Sequence, residues 1–163
     1  MAYIPGVGRV FYNWAVGGVT LTGAIAETSF GAPFPRTIKA GTFGPNTAIE
    51  IWTNTIVSVS NANNKFFRIK IGGVTVFEQN MTSMLQLHRV TKGWNRGALN
   101  SQVWTPGSGT SFASGVGTTT LALNTTSIDF SVDQTLDLTA EIATASETMT
   151  INAIEVKFYN PPS

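Results

Sequence analysis

Catalysis by side chains needs a nucleophile, a general base or a set of metal ligands, and this chain offers few of them. His88 is the only histidine, and cysteine is absent, so a triad has one candidate base and a thiolate nucleophile is impossible. No Gly-x-Ser-x-Gly elbow surrounds a serine, and Gly6-Val7-Gly8 lacks the following Gly and Lys of a phosphate-binding loop. We therefore expect a protein without enzymatic activity, metal or cofactor.

Carboxylates could still form a glycosidase pair, because two acidic groups distant in sequence can meet in a fold. The chain's acidic residues are scattered and show no spacing typical of such a pair: Glu27, Glu50, Glu78, Asp129, Asp133, Asp137, Glu141, Glu147 and Glu155.

One stretch combines positive charge with aromatic rings, and we treat it as a possible ligand patch. Basic side chains interleaved with rings can bind phosphates and stack bases, and indole faces also pack on sugar rings. Two other interpretations stay open: tryptophans that cover the edge of a sandwich, and a protein–protein contact. The patch consists of His88, Arg89, Lys92, Trp94 and Arg96, with Trp104 beyond them.

The composition favours an assembling protein. The 163 residues suit one domain, and only 12% of them are charged although 42% are hydrophobic. Such a surface is expected to be partly covered by neighbours. A net charge of +1 disfavours nucleic acid as a partner. No apolar run approaches the ~20 residues of a membrane span, and Met1–Gly6 does not resemble a signal peptide. We expect synthesis in a cytoplasm and no membrane association.

Apolar residues recur with a period of two, which predicts β-strands with one buried face. Ile49 and Ile51 alternate with Glu50 and Trp52. Lys65–Ile71, Gly72-Gly73 and Val74–Gln79 predict a hairpin, because two glycines supply the positive φ values of a tight turn. In that hairpin Ile71 lies opposite Val74 and Ile69 opposite Val76. The other face then carries Phe66, Arg68, Lys70, Thr75 and Phe77, a mixture suited to a partner.

Two later segments predict irregular pairing. Ile128–Ile142 keeps one parity, which indicates either a three-residue loop or one long bent strand. The last segment changes parity, so we expect a β-bulge near Asn152–Ile154. Pro106–Gly117 is rich in Gly and Ser and is predicted to be a mobile loop. No window shows helical periodicity, so the fold class is all-β: an antiparallel β-sandwich, in the form of a jelly roll.

Met1–Gly18 lacks strand alternation, and we predict that it is an irregular N-terminal attachment arm preceding a sandwich domain of residues 19–163. The segment either folds over its own core, docks as an extended arm on a neighbouring subunit, or is disordered. If it docks, deleting it should abolish attachment and leave the sandwich folded. With the outer face of the hairpin, the predicted contact residues are Tyr3, Ile4, Val10, Phe11, Tyr12, Trp14, Phe66, Arg68, Lys70 and Phe77.

Four stretches within residues 19–159 resemble small virion proteins of tailed bacteriophages: Asn63–Gly73, Leu85–Arg89 with Asn95–Gly97, Asp133–Leu136 and Ala153–Val156. The resemblance implies a jelly-roll or related sandwich that assembles as a homotrimer and serves as a capsid decoration (cement) protein, head fibre or tail tip. It transfers no catalytic residue.

We therefore expect a decoration protein on the head surface of a virion, with itself and the major capsid protein as partners. Two alternatives stay open. One is a tail-fibre or tail-tip receptor-binding domain that contacts host glycans through Trp94, Trp104 and the loop Pro106–Gly117. The other is a cellular carbohydrate-binding domain.

Overall fold

The computed structural model describes residues 9–14, 18–105 and 124–159. This part of the chain contains no helix, and hence none that could cross a membrane. Its strands are β1 (Arg9–Trp14), β2 (Val19–Thr22), β3 (Thr28–Ser29), β4 (Arg36–Ile38), β5 (Ala48–Val57), β6 (Lys65–Ile71), β7 (Val74–Asn80), β8 (Gln86–Asn95), β9 (Gln102–Thr105), β10 (Asn124–Thr126), β11 (Gln134–Ile142) and β12 (Thr148–Tyr159).

The strands form two antiparallel sheets that pack face to face as a β-sandwich, as the alternation predicts. Sheet A has seven strands in the order β1-β12-β5-β8-β9-β10, and β2 also pairs with β12. Sheet B has five strands in the order β3-β11-β6-β7, and β4 also pairs with β11. Every strand pairing is antiparallel. The chain crosses between the sheets repeatedly, so most hydrogen-bonded neighbours are distant in sequence.

The core between the sheets is dense in aromatic rings. The ring centroid of Phe43 lies 4.8 Å from that of Phe130, 5.9 Å from Phe158 and 6.3 Å from Trp104. All but Phe158 are fully buried, and Phe158 is 5% exposed. Since such pairs contribute about 0.5–1.5 kcal/mol each beyond the area that they bury, this cluster ties both sheets to the loop that carries Phe43.

The predicted hairpin is confirmed in β6 and β7, with one correction. Gly72 and Gly73 adopt φ of 58° and 77°, and Ile71 pairs with Val74 as expected. The register then shifts between Ile69 and Lys70, so Ile69 pairs with Phe77 and not with Val76. A bulge adds one residue to a strand, and here it lets Val76 and Phe77 both be buried. The prediction that Phe77 lies on the outer face is therefore wrong.

Of the two other segments predicted to pair irregularly, one agrees with its prediction and the other differs from it. The register of β12 against β5 shifts between Ile151 and Ala153, which confirms the predicted bulge. Ile128–Ile142 forms neither of the two arrangements expected, because β11 begins only at Gln134. The Asp129 carboxylate accepts a hydrogen bond from the Ser131 backbone N–H at 2.8 Å. This local turn keeps the residues just before Gln134 out of the strand pairing that β11 makes.

Part of the predicted N-terminal arm is a strand of the sandwich. β1 pairs with β12 along the edge of sheet A, and a register shift between Val10 and Tyr12 hides its alternation in the sequence. The Phe11 ring packs edge-on against Phe158 at 5.3 Å, and that of Tyr12 against Phe34 at 5.8 Å. Phe11, Tyr12 and Trp14 thus pack on the chain's own core. Tyr3, Ile4, the side chain of Val10 and the whole of Pro106–Gly117 lie outside the described residues.

A buried lysine fixes the loop between β5 and β6. The Lys65 side chain is fully buried, and its Nζ donates to Asn61 Oδ1 at 2.7 Å and to the Asn63 carbonyl at 3.0 Å. Nζ also lies 3.5 Å from the Glu147 carboxylate. Hydrogen bonds from the Asn61 and Asn63 amides, with the charge of Lys65, hold the pKa of Glu147 below its usual value. This cluster joins the starts of β6 and β12.

Candidate functional site

The structure divides the predicted ligand patch between two faces of sheet A, because the patch follows β8 and side chains alternate along a strand. His88, Lys92 and Trp94 point outward and are exposed, and Arg96 is exposed just beyond the end of β8. Arg89 points inward and Trp104 is fully buried. The prediction of one continuous patch is therefore wrong for these last two residues.

Trp104 is a core residue, and its surroundings explain why. Its ring packs over Gly93 on the neighbouring strand, where a side chain would collide with it. Its Nε1 donates to Thr126 Oγ1 at 2.9 Å, so the polar atom of the indole is satisfied. The Arg89 guanidinium lies 5.6 Å from the centroid of Phe77, and burial lowers the pKa of this arginine.

Trp52 joins the outward face of sheet A, and it is the residue that the predicted patch lacks. It lies on β5, and 37% of it is exposed. Its ring packs edge-on against His88, with centroids 5.5 Å apart and planes at 70°. Its Nε1 donates a short hydrogen bond to Glu50, which fixes the indole. The sequence itself indicates this outward placement, because Trp52 alternates with the apolar residues Ile49 and Ile51.

A shallow cleft of about 220 Å³ opens beside Trp52. We call it the tryptophan cleft. The Trp52 ring gives the cleft an apolar wall, and the side-chain amides of Asn13 and Asn54 give it hydrogen-bonding groups. The Asn152 amide donates to Asn54 Oδ1 at 3.3 Å, which orients one of those amides. The cleft is lined by Asn13, Trp52, Thr53, Asn54, His88, Ala153, Ile154 and Glu155.

Charges on this face are neutralised in pairs. Lys92 Nζ lies 2.8 Å from Glu50, and Lys157 Nζ lies 2.9 Å from Glu155. Burial raises the pKa of Glu50, but hydrogen bonds from Lys92 and Trp52 outweigh it and leave the pKa lowered. The face therefore offers rings, amides and paired charges, which suit binding of a neutral surface or a sugar.

The outer face of sheet B carries the other predicted contact residues, linked by charge. Arg68 contacts three carboxylates: Glu78 at 2.5 Å, Glu141 at 3.0 Å and Glu27 at 3.6 Å. Its guanidinium also lies 4.9 Å from the ring centroid of Phe66. Lys70 Nζ lies 2.7 Å from Glu27. Phe66, Arg68 and Lys70 thus share the outer face as predicted, whereas Phe77 does not.

Large apolar side chains are exposed at one end of the sandwich, where β5, β7 and β11 end and β6, β8 and β12 begin. We call this surface the apolar end; it consists of Ile25, Ile56, Met84 and Leu85, which are 70%, 37%, 39% and 56% exposed. The Val57 N–H donates to the Leu85 carbonyl at 2.9 Å, and the Ile142 N–H donates to the carbonyl of Ala24 at 2.7 Å. These bonds anchor the segments that carry Leu85 and Ile25 to the same end. Ile25 lies beyond β2, which ends at Thr22.

The described residues contain no group of three His, Cys, Asp or Glu side chains placed to hold a metal ion. No protein-family model, no curated protein and no solved structure matches this chain.

Proposed function

We propose that this chain is a non-enzymatic structural protein of a virus particle: a capsid decoration (cement) protein that binds and stabilises the head of a tailed phage as a homotrimer. The observation that carries the proposal is the apolar end. Its four large apolar side chains are exposed in the isolated chain, and exposed apolar clusters mark surfaces that meet a partner. The resemblance to small phage virion proteins supplies the kind of partner, the major capsid protein.

The strand order supports the jelly-roll part of this proposal. Without the β9–β10 hairpin, sheet A runs β1/β2-β12-β5-β8 and sheet B runs β3/β4-β11-β6-β7. The first and last strands are thus neighbours in sheet A, and the second and second-last are neighbours in sheet B. Nested pairing of this kind makes the two Greek keys of a jelly roll. Such a sandwich presents its loops at two ends, and one of these is the apolar end.

Oligomeric state is the first test. A homotrimer has a mass of about 52 kDa, three times the 17.4 kDa of the chain. We expect sedimentation equilibrium of the purified protein at micromolar concentration to give this mass. A monomer mass at that concentration contradicts the trimer.

Attachment is tested by adding purified protein to heads that lack it and measuring the bound fraction by co-sedimentation. Leu85→Ser removes an apolar side chain that is 56% exposed at the apolar end, and Val132→Ser removes one that is 53% exposed at the opposite end. We expect Leu85→Ser to weaken binding about tenfold, because an apolar contact of this size contributes about 1.5 kcal/mol. Val132→Ser is the matched control and should bind as the wild type does. Equal binding by both variants contradicts this role of the apolar end.

The tryptophan cleft favours a second function, the receptor-binding tip that contacts host glycans. A fixed indole beside amides and a carboxylate can stack on a sugar ring and hydrogen-bond its hydroxyls. Under this function Trp52→Ala reduces adsorption of the protein to host cells, and so does Trp94→Ala if the glycan extends along β8. Unchanged adsorption in both variants removes the glycan function and leaves the structural one untouched.

A further inference from the structure

Another cleft, of about 500 Å³, opens to solvent at the end of the sandwich opposite the apolar end. We call it the arginine cleft. It is lined by Arg96 and residues 100–101, which follow β8, by residues 125–127 at the end of β10, and by Val74 at the start of β7. Segments from both sheets thus line a single cavity. Its volume lies within the range of about 300–1,000 Å³ that is typical of small-molecule sites.

A buried side-chain amide holds the two main walls of the arginine cleft together. Gln102 is fully buried, and its Nε2 donates to the Ile128 carbonyl at 3.0 Å. Its Oε1 accepts hydrogen bonds from the Thr126 hydroxyl and the Ile128 N–H, both at 2.9 Å. The Arg96 N–H donates to the Ser101 carbonyl at 2.8 Å, which closes the turn that carries these two residues. The walls are therefore fixed before a ligand arrives, and this lowers the cost of binding.

Arg96 gives the cleft a positive charge that the described part of the chain does not neutralise. Each lysine of the described residues lies within 3.5 Å of a carboxylate, and Arg68 contacts three. Arg96 makes no ion pair with the described residues, and none of the residues that line the cleft is acidic. A guanidinium is a planar fork of N–H donors that matches a carboxylate or a phosphate with two parallel hydrogen bonds. The charge therefore favours a ligand with an anionic group.

The other side chains of the arginine cleft suit the ring of a sugar. Ser101, Thr125 and Ser127 carry hydroxyls, and Asn100 carries an amide. Each of these groups can both donate and accept a hydrogen bond, as can the hydroxyls of a sugar. Val74, which is 42% exposed, adds an apolar wall on which the C–H face of a sugar ring can pack.

We propose that the arginine cleft binds a sugar that carries one anionic group, with Arg96 on the anion and the hydroxyl side chains on the ring. A uronic acid, which has a carboxylate, and a sugar phosphate share this chemistry. The site is distinct from the tryptophan cleft, where Glu155 is paired with Lys157. This inference does not depend on the proposed function.

Titration of the isotope-labelled protein at constant ionic strength, followed by the NMR shifts of its backbone amides, tests the site with four probes. Glucose supplies the ring alone, acetate supplies the anion alone, and glucuronate and glucose 6-phosphate supply both. We expect saturable shifts of the Arg96, Ser101 and Ser127 amides with the acidic sugars. The better acidic sugar should bind about tenfold more tightly than glucose or acetate. The ratio of the two acidic sugars' affinities shows whether the cleft prefers a carboxylate or a phosphate. The proposal is overturned if these amides show no saturable shift, or if glucose or acetate binds as tightly as the better acidic sugar.

Two arginine variants distinguish the cleft from the charge of the whole protein. Arg96→Gln removes an exposed cation, so it should fold as the wild type does, which an equal urea midpoint verifies. We expect its affinity for the better acidic sugar to fall about tenfold and its affinity for glucose to stay the same. Arg36→Gln is the matched control, because this arginine lies over the Tyr12 ring and does not line the cleft; it should bind as the wild type does. Wild-type affinity of Arg96→Gln for the acidic sugar overturns the proposal, and so does an equal loss in both variants.

Discussion

Gly93→Ala is the substitution whose effect the structure determines most sharply. Alanine normally suits a strand better than glycine, and at a compatible position the change stabilises a protein by about 0.4–1 kcal/mol. At Gly93 a Cβ would lie 2.8 Å from Cη2 of Trp104 and closer still to Cε3 and Cζ3. Backbone conformation is not the obstacle, because Gly93 has no positive φ.

The indole has little room to yield. Trp104 is fully buried, Phe43 packs against it, and Thr126 accepts the hydrogen bond from its Nε1. Overpacking of a well-packed core costs about 1–3 kcal/mol. After the entropic gain of alanine is subtracted, we expect Gly93→Ala to destabilise the protein by about 1–2 kcal/mol. For a domain of this size that lowers Tm by roughly 2–8 °C.

Urea unfolding of wild type, Gly93→Ala and Gly44→Ala measures this effect. Gly44 is the matched control, because a Cβ there meets the Gly41 carbonyl oxygen at 3.7 Å and Thr47 Cγ2 at 3.8 Å, which are ordinary contacts. In a Trp104→Phe background the ring is smaller, and Gly93→Ala should cost at least 1 kcal/mol less than in the wild type. A collision with Trp104 is contradicted if Gly93→Ala is as stable as the wild type, or if the substitution costs the same free energy of unfolding in both backgrounds.

Three further predictions concern the ion pairs and the first strand. Lys65→Met should destabilise the protein by about 3 kcal/mol, because it removes a fully buried, hydrogen-bonded cation. The control is Lys39→Met, which removes one partner of an exposed ion pair and should leave the urea midpoint unchanged. The hydrogen bond from Lys70 lowers the pKa of Glu27 in the folded protein. The stabilisation from this ion pair is therefore complete above the ordinary pKa of a glutamate and is lost as pH falls through the lowered pKa. Glu27→Gln should weaken the dependence of the urea midpoint on pH between about pH 5 and 3, and an unchanged dependence contradicts this. Deleting residues 1–18 removes β1 and its aromatic contacts and should cost about 2–4 kcal/mol. A Tm equal to that of the wild type contradicts the role of β1.

The sequence was sufficient for strands β5, β6 and β7 and for two of the local irregularities. Alternation identified the inward faces of β5 and β6, the glycine pair located the tight turn, and the change of parity located the bulge in β12. These features depend on neighbours along the chain. The bulge that buries both Val76 and Phe77 leaves no comparable signal, because alternating and consecutive apolar residues look alike in a short strand.

The candidate site was harder to predict, because it depends on pairing between distant strands. Four members of the predicted patch, His88, Lys92, Trp94 and Arg96, have exposed side chains, as a ligand patch requires. Trp104 looked like a partner of Trp94, yet its neighbours across the sheet send it into the core. Alternation sends Trp52 outward, but Trp52 lies beside His88 because β5 and β8 pair, which the sequence does not state. The strand in Arg9–Trp14 was missed for a related reason, since its register shift removes the alternation.

Cryo-electron microscopy most directly tests the proposal that this chain is a structural component of a virus particle. The sample is particles purified from cells that express the chain's own gene. We expect density for the β-sandwich as trimers on the head lattice, with Leu85 and its apolar neighbours against the capsid protein. Density only at the tail or fibre ends would contradict the decoration role and favour the tryptophan cleft as a receptor site. Absence of the chain from the particles would contradict the claim itself.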